Sequence, residues 1–172
     1  ANDYKMELEK YIKLKKPFVI ALNTTVNINK ELVDVFAACH PLRLISDINL
    51  YKSLTSPLVL PLSLLSGSLR EKFKNIKLLD FGVGIKEDLF EFHEKGAIIP
   101  RLYAGAYALS IATSGNASRI LLAGFDGYGA QNRRTKITDH LFSLYSSCKE
   151  AKPLVAVTPT SYSVESTSIY VL

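Results

Sequence analysis

The run from Ile98 to Tyr128, IIPRLYAGAYALSIATSGNASRILLAGFDGY, decides the fold class. Pro100 and Arg101 lead into a helix of small apolar residues, Leu102 to Thr113. A turn follows, then an apolar strand from Arg119 to Gly124 that ends in Gly124-Phe125-Asp126-Gly127-Tyr128. A helix, a short turn and a buried strand in that order form the repeating unit of an α/β sheet. The unit sets an acid and a phenol at the carboxyl end of a strand, where open α/β sheets keep their sites.

The same alternation extends in both directions. Asp3 to Leu14 reads as a polar amphipathic helix with Met6, Tyr11 and Leu14 as its contacts. Phe18 to Leu22 is an unbroken apolar run after Pro17, as a buried parallel strand requires. Leu32, Val35, Phe36 and Cys39 recur at helical spacing, and His40-Pro41 is expected to stop that helix. Leu42 to Ile45 reads as a second strand, Asn49 to Leu54 as a short helix and Leu58 to Leu60 as a third strand. Ser66 or Ser68 caps a helix through Phe73, and Ile76 to Phe81 gives a fourth strand ending in Gly82-Val83-Gly84.

Lys86 to Lys95 fits either a charged helix or an edge strand, since Phe90 and Phe92 alternate. Beyond the quoted run, Ile137, Leu141, Leu144, Tyr145 and Cys148 mark a helix with one apolar stripe. Leu154 to Val157 is a sixth strand, and Ser168 to Val171 an antiparallel edge. The expectation is a three-layer Rossmann-like α/β domain over 17–172, preceded by a helix or linker over 1–16. Its mainly parallel sheet has five or six strands, with Val19, Ile20, Leu58, Leu60, Leu79, Leu121 and Leu122 buried.

A chain of 172 residues is one domain by size, long enough to bury roughly two-thirds of its unfolded surface without staples. Its net charge of +5 comes mainly from Lys5, Lys10, Lys13, Lys15 and Lys16, interspersed with Glu7 and Glu9. That pattern is a solvated helix rather than a nucleic-acid surface. Cys39 and Cys148 are far apart and each falls on the apolar face of an expected helix, so they read as buried free thiols of a cytoplasmic protein. The sequons at Asn23-Thr24-Thr25 and Asn116-Ala117-Ser118 are then coincidental. No apolar run reaches the ~20 residues of a membrane span. The chain opens at Ala1 without a methionine, which reads as a domain taken from a longer protein.

The residues that follow each strand share a chemistry. They are Asn23, Thr24 and Thr25; Ser46 and Asp47; Ser63; Gly82 and Gly84; Asp126 and Tyr128; and Thr158, Thr160, Ser161 and Tyr162. Carboxyl ends of parallel strands lie along one edge, so these hydroxyls, amide, acids and phenols line one rim. They suit a sugar, a ribose or another neutral polar ligand. The candidate ligand-binding set is Asn23, Thr24, Arg101, Asp126, Tyr128, Thr158 and Thr160. Arg101, at the start of the small-residue helix, offers an anion seat. Asp126, flanked by glycines after an apolar strand, is either a ligand contact or the Asx residue that shapes its loop.

No catalytic set emerges. His40 precedes a proline, His93 lies in the ambiguous segment and His140 follows Asp139 in a helix, and no pair has metal-ligand spacing. There is no nucleophile elbow, Walker loop or dinucleotide fingerprint. The cofactor, if any, and the oligomeric state stay open.

The runs IATSGNASRILLAGFDGY and VTPTSYSVESTSIY, with ACHPLRLISD upstream, resemble a domain encoded in bacterial surface-polysaccharide gene clusters. In that family the domain follows aldolase-like barrels related to 4-hydroxy-2-oxovalerate aldolase and hydroxymethylglutaryl-coenzyme A lyase. The most specific pieces are LAGFDGY and TPTSY. The resemblance implies an accessory domain beside an aldolase-like barrel of the same chain, recognising a sugar or nucleotide-sugar, and not catalytic alone.

A small-residue helix, a strand and Gly-x-Asp-x-Tyr are also distantly similar to small bacterial sialyltransferases and pterin diphosphokinase-like domains. That likeness implies the alternative, a glycosyl- or phosphoryl-transferase with Asp126 as base or metal ligand. Two places depart from it. The first strand ends in ALNTTV instead of a glycine-rich loop, and His140 reads as helical where the transferases carry a loop histidine.

Overall fold

The computed structural model of the chain describes residues 2–128 and 132–172. In chain order the elements are α1 (Asn2–Lys15), β1 (Ile20–Leu22), β2 (Val35–Ala37), α2 (Pro41–Ser46), α3 (Ile48–Lys52), β3 (Leu58–Leu60), α4 (Gly67–Phe73), β4 (Leu78–Asp80) and β5 (Gly82–Ile85). They continue with β6 (Glu91–His93), β7 (Gly96–Ile99), α5 (Ala104–Ser114), β8 (Ile120–Leu122), α6 (Arg133–Ser146), β9 (Leu154–Ala156) and β10 (Glu165–Ser166). Single 3-10 turns lie at Lys30–Leu32, Leu62–Leu64 and Ile169–Val171.

The fold is mixed α/β with parallel sheets. The largest sheet has four strands, β1-β2-β3-β4, all parallel. A second, β10-β9-β8, is also parallel throughout. In the third, β5-β7-β6, β5 runs parallel to β7 and β6 antiparallel to it. One run of chain serves the first and third sheets. Lys77 O accepts from Leu58 N and Phe81 N donates to Leu60 O, whereas Gly82 N donates to Lys95 O and Lys86 N to Ile99 O. The first half of the run, 77–81, therefore pairs with β3, and the second half, 82–86, with β7.

Helices cover both faces of the four-stranded sheet. On one face Val35, Ala37 and Val59 pack with Ala106, Tyr107 and Leu109 of α5, in a cluster that also takes in Leu122, Leu141, Phe142 and Leu154. On the other face Ala21, Phe36, Leu58 and Leu60 pack with Leu44 of α2, Tyr51 of α3, and Leu69 and Phe73 of α4. Phe36, Leu58 and Leu60 are fully buried, and each such side chain contributes about 1.5–3 kcal/mol.

The structure corrects several sequence readings. Residues 32–39 form a 3-10 turn and then β2, not a helix. Val35, Phe36 and Ala37 are buried on alternating faces between two helical layers, and a doubly buried strand mimics helical spacing because every position is apolar. The expected strand at Leu42 to Ile45 is α2. Pro41 starts this helix at its first turn, where its missing N–H costs nothing, and does not end the one before. Gly82 and Gly84 continue as β5 instead of forming a loop, and β7 was not foreseen. The ambiguous segment holds the edge strand β6, with Phe90 and Phe92 stacked.

The carboxyl-terminal edge is the short parallel β10, and residues 169–171 are a 3-10 turn instead of an antiparallel strand. Leu58, Leu60 and Leu122 are buried as expected; Val19, Ile20 and Leu121 are half-buried, and Leu79 is 43% exposed. On α1, Met6 and Leu14 face solvent, and Ile12 is the buried contact. No helix among the described residues is long and apolar enough to cross a membrane.

Candidate functional site at the β8 and β9 loops

Because β8 and β9 are parallel and adjacent, the loops that follow them leave from one edge. Those loops are stitched together. Gly124 N donates to Thr158 Oγ1 at 2.9 Å, Thr160 Oγ1 donates to Phe125 O at 2.6 Å, and Ser161 N donates to Asp126 O at 3.1 Å. Two glycines make the turn possible: Gly124 has φ +75° and Gly127 φ +103°, conformations that side chains with a Cβ disfavour. A second tie holds the β9 loop to α6, where Asp139 accepts from Ser163 N at 2.6 Å and from Ser163 Oγ at 3.1 Å. Below them, the Phe125, Phe142 and Tyr162 rings meet edge to face.

This framework brings Asp126, Tyr128, Thr158 and Thr160 together. Their roles differ. The Thr158 and Thr160 hydroxyls are spent on the framework itself. Asp126 is exposed, and its carboxylate makes no hydrogen bond or ion pair among the described residues. Tyr128 is 48% exposed, and its ring lies under the Arg134 guanidinium, 5.6 Å from the centroid, a cation–π distance. Arg101 is exposed three residues before α5, with no ion pair among the described residues. Asn23 and Thr24 stand half-buried after β1, Asn23 at φ +56° with its amide donated to Ala37 O. No described hydrogen bond ties either of them to the β8 and β9 loops.

The structure adds residues that the sequence set omitted. Tyr103, which caps α5, accepts a hydrogen bond from the nearly fully buried Thr138 of α6 at 3.3 Å. Burial pushes the Tyr103 phenol up to about 12, with Tyr128 adding to the rise and Thr138 opposing it. Burial likewise raises Tyr162, again with Thr138 opposing and with Tyr128 and Asp139 adding. Three phenols and a threonine hydroxyl thus gather between α5, α6 and the two loops. The signal for Tyr103 was its place at the head of the small-residue helix; Thr138 lies in a helix with no local motif and gave none.

The chemistry on offer is hydrogen bonding. The raised phenols of Tyr103 and Tyr162 stay protonated at neutral pH, Asp126 accepts, and the arginines donate. His140 sits on α6 and meets Asp88 at 3.1 Å, a pair that includes no rim residue. His93 pairs with Glu91 at 3.7 Å on β6. Among the described residues no group of three or more His, Cys, Asp or Glu side chains could hold a metal ion. Concavities lie along α1 and between the end of α6 and β9–β10, and neither includes a rim residue. No protein family, curated protein or solved structure matches this chain.

Proposed function

We propose that this chain is a Rossmann-like ligand-recognition domain that holds a sugar or nucleotide-sugar on the β8–β9 rim. It serves an aldolase- or lyase-like partner domain in surface-polysaccharide synthesis, in the cytoplasm. The observation that carries the reading is Asp126. A loop fixed by three hydrogen bonds to its neighbour presents a carboxylate that no described residue engages. Tyr128 beside it offers an exposed ring, the usual platform for a sugar face. The Rossmann-like description is supported by the run 77–86, which joins two sheets, and by helices on both faces of the larger one. Asn23, Thr24 and Arg101 complete the proposed rim.

The test is a titration of sugars and nucleotide-sugars against the chain and its Asp126→Asn variant, followed by thermal shift. The variant keeps shape and one acceptor, so it should fold normally. Losing a charged hydrogen-bond partner costs about 1.5–3 kcal/mol, or roughly ten- to a hundredfold in affinity. Unchanged affinity would remove Asp126 from the site. A turnover that the variant loses while still binding would replace this reading with the transferase one.

A further inference from the structure

We infer that the rim carries a seat for an oxyanion at Arg134, held over the Tyr128 ring, with Arg133 next to it in the chain, so that the saccharide it takes is an acidic or phosphorylated one. This deepens the reading above and rests on it.

The chain has six arginines. Three are tied down by the fold: Arg43 pairs with Asp47 at 3.1 Å, Arg70 donates to Leu62 O at 2.7 Å, and Arg119 reaches the Tyr11 hydroxyl at 3.4 Å. The other three, Arg101, Arg133 and Arg134, have no ion pair among the described residues, and Arg134 is the one held over the Tyr128 ring. A guanidinium held over an aromatic face keeps its N–H donors for a partner.

Their position makes no sense as helix stabilisation. Arg133 and Arg134 open α6, whose first turn contains no acid, and the helix dipole disfavours cations there. What holds Arg134 there is the Tyr128 ring, and a local rule broken at such a position is a mark of functional sites. Asp126 does not compensate them, although it lies two residues from Tyr128, because no ion pair joins it to either arginine. A carboxylate free to accept from hydroxyls and guanidinium groups free to donate to an oxyanion match the two ends of a sugar acid or sugar phosphate. The helix end alone is not the seat. The charge resides in side chains, so removing them should remove the binding.

The experiment titrates the full chain with hexoses, hexose 1-phosphates, hexuronic acids and inorganic pyrophosphate. Binding and thermal unfolding are followed for wild type, R133Q/R134Q and R134K. The expected result is at least tenfold tighter binding of a charged sugar than of its neutral parent. R133Q/R134Q should lose that gain, and R134K, which keeps the charge without the guanidinium's fork of donors, should lose part of it. The melting temperature of R133Q/R134Q without ligand should stay close to wild type, because an unfavourable helix-end charge and one exposed cation–π contact are lost together. The ratio of hexose 1-phosphate to hexuronic acid affinity tells phosphate from carboxylate.

Equal affinity for charged and neutral sugars, or a double variant that binds charged probes like wild type, overturns the inference. If neutral sugars bind and depend on Asp126, the saccharide reading survives that failure. Arginine-dependent binding of pyrophosphate with no saccharide bound keeps the oxyanion seat and overturns the saccharide reading. Binding of no probe overturns both.

Discussion

The amide of Gly124 donates to the hydroxyl of Thr158 at 2.9 Å, across the gap between the loops that follow β8 and β9. Both residues lie in rim motifs, yet here the threonine oxygen accepts from the protein's own backbone. Thr158→Val keeps the shape and removes the acceptor. It should lower stability by about 0.5–1.5 kcal/mol, a fall of a few degrees in melting temperature at roughly 2–4 °C per kcal/mol. Thr158→Ser should behave as wild type in the same thermal scan. If valine unfolds with wild type, the bond does not hold the rim.

Asp139 makes the second anchor of the β9 loop, through Ser163 N and Oγ. Asp139→Ala removes a charged acceptor from both donors, so its cost is about 1.5–3 kcal/mol. The loss is local, and hydrogen exchange should show it first at 158–164 while the amides of β2 and β3 keep their protection. Uniform deprotection of the whole chain would mean that Asp139 supports the core and not the loop.

How far the rim could be read beforehand follows from these bonds. Asp126, Tyr128, Thr158 and Thr160 were placed together because apolar strands Ile120–Leu122 and Leu154–Ala156 are bounded by clear turn residues. The partition between framework and free groups was not legible, since a threonine that bonds a backbone amide looks in sequence like one that meets a ligand. The fold was clearest where strands are flanked by glycine or proline. It was least clear at 32–46, where a fully apolar strand copies helical spacing and Pro41 opens a helix instead of closing one. Tyr103 and Thr138 meet only through the packing of α5 on α6, and contacts across 35 residues leave no local pattern.

Tyr51 supplies a stability prediction with a pH dependence. Its side chain is fully buried and its hydroxyl has no hydrogen-bond partner among the described residues, while its ring packs against Phe73 at 6.1 Å. Tyr51→Phe removes an unsatisfied polar atom and keeps the ring pair, so it should stabilise the fold by about 1–3 kcal/mol. Burial, first, and then the charge of Asp47 push the Tyr51 phenol up to about 12. The unfolded phenol titrates near pH 10, so between about pH 10 and 12 the native state holds the proton that the unfolded chain releases. Stability is therefore intact below pH 10 and falls as pH rises through that window. Buried Cys39, raised to about 12, and Tyr103 add to the fall. Denaturant titrations from pH 8 to 12 should show a shallower loss for Tyr51→Phe, and equal slopes would contradict the assignment.

Gly127 tests whether the Asp126 loop is held by backbone conformation or by packing. Its φ of +103° is one that L residues rarely adopt, and a Cβ there would lie 2.0 Å from Ser161 Oγ. Gly127→Ala therefore meets two obstacles, strain at φ and a clash with the neighbouring loop. Residues forced into such backbone regions cost about 1–3 kcal/mol. The clash is with the end of a side chain, so Ser161→Gly removes it without touching the Ser161 N to Asp126 O bond. If packing dominates, Gly127→Ala/Ser161→Gly should recover most of the stability that Gly127→Ala loses. If φ dominates, the double variant should stay as unstable as the sum of the single changes. Either way the loop must shift to admit the methyl group, and Asp126, one residue upstream, shifts with it. Gly127→Ala should therefore weaken saccharide binding at temperatures where it is fully folded, by a factor approaching that of Asp126→Asn. Wild-type affinity in a folded Gly127→Ala chain would show that the loop's shape is irrelevant to what the rim binds.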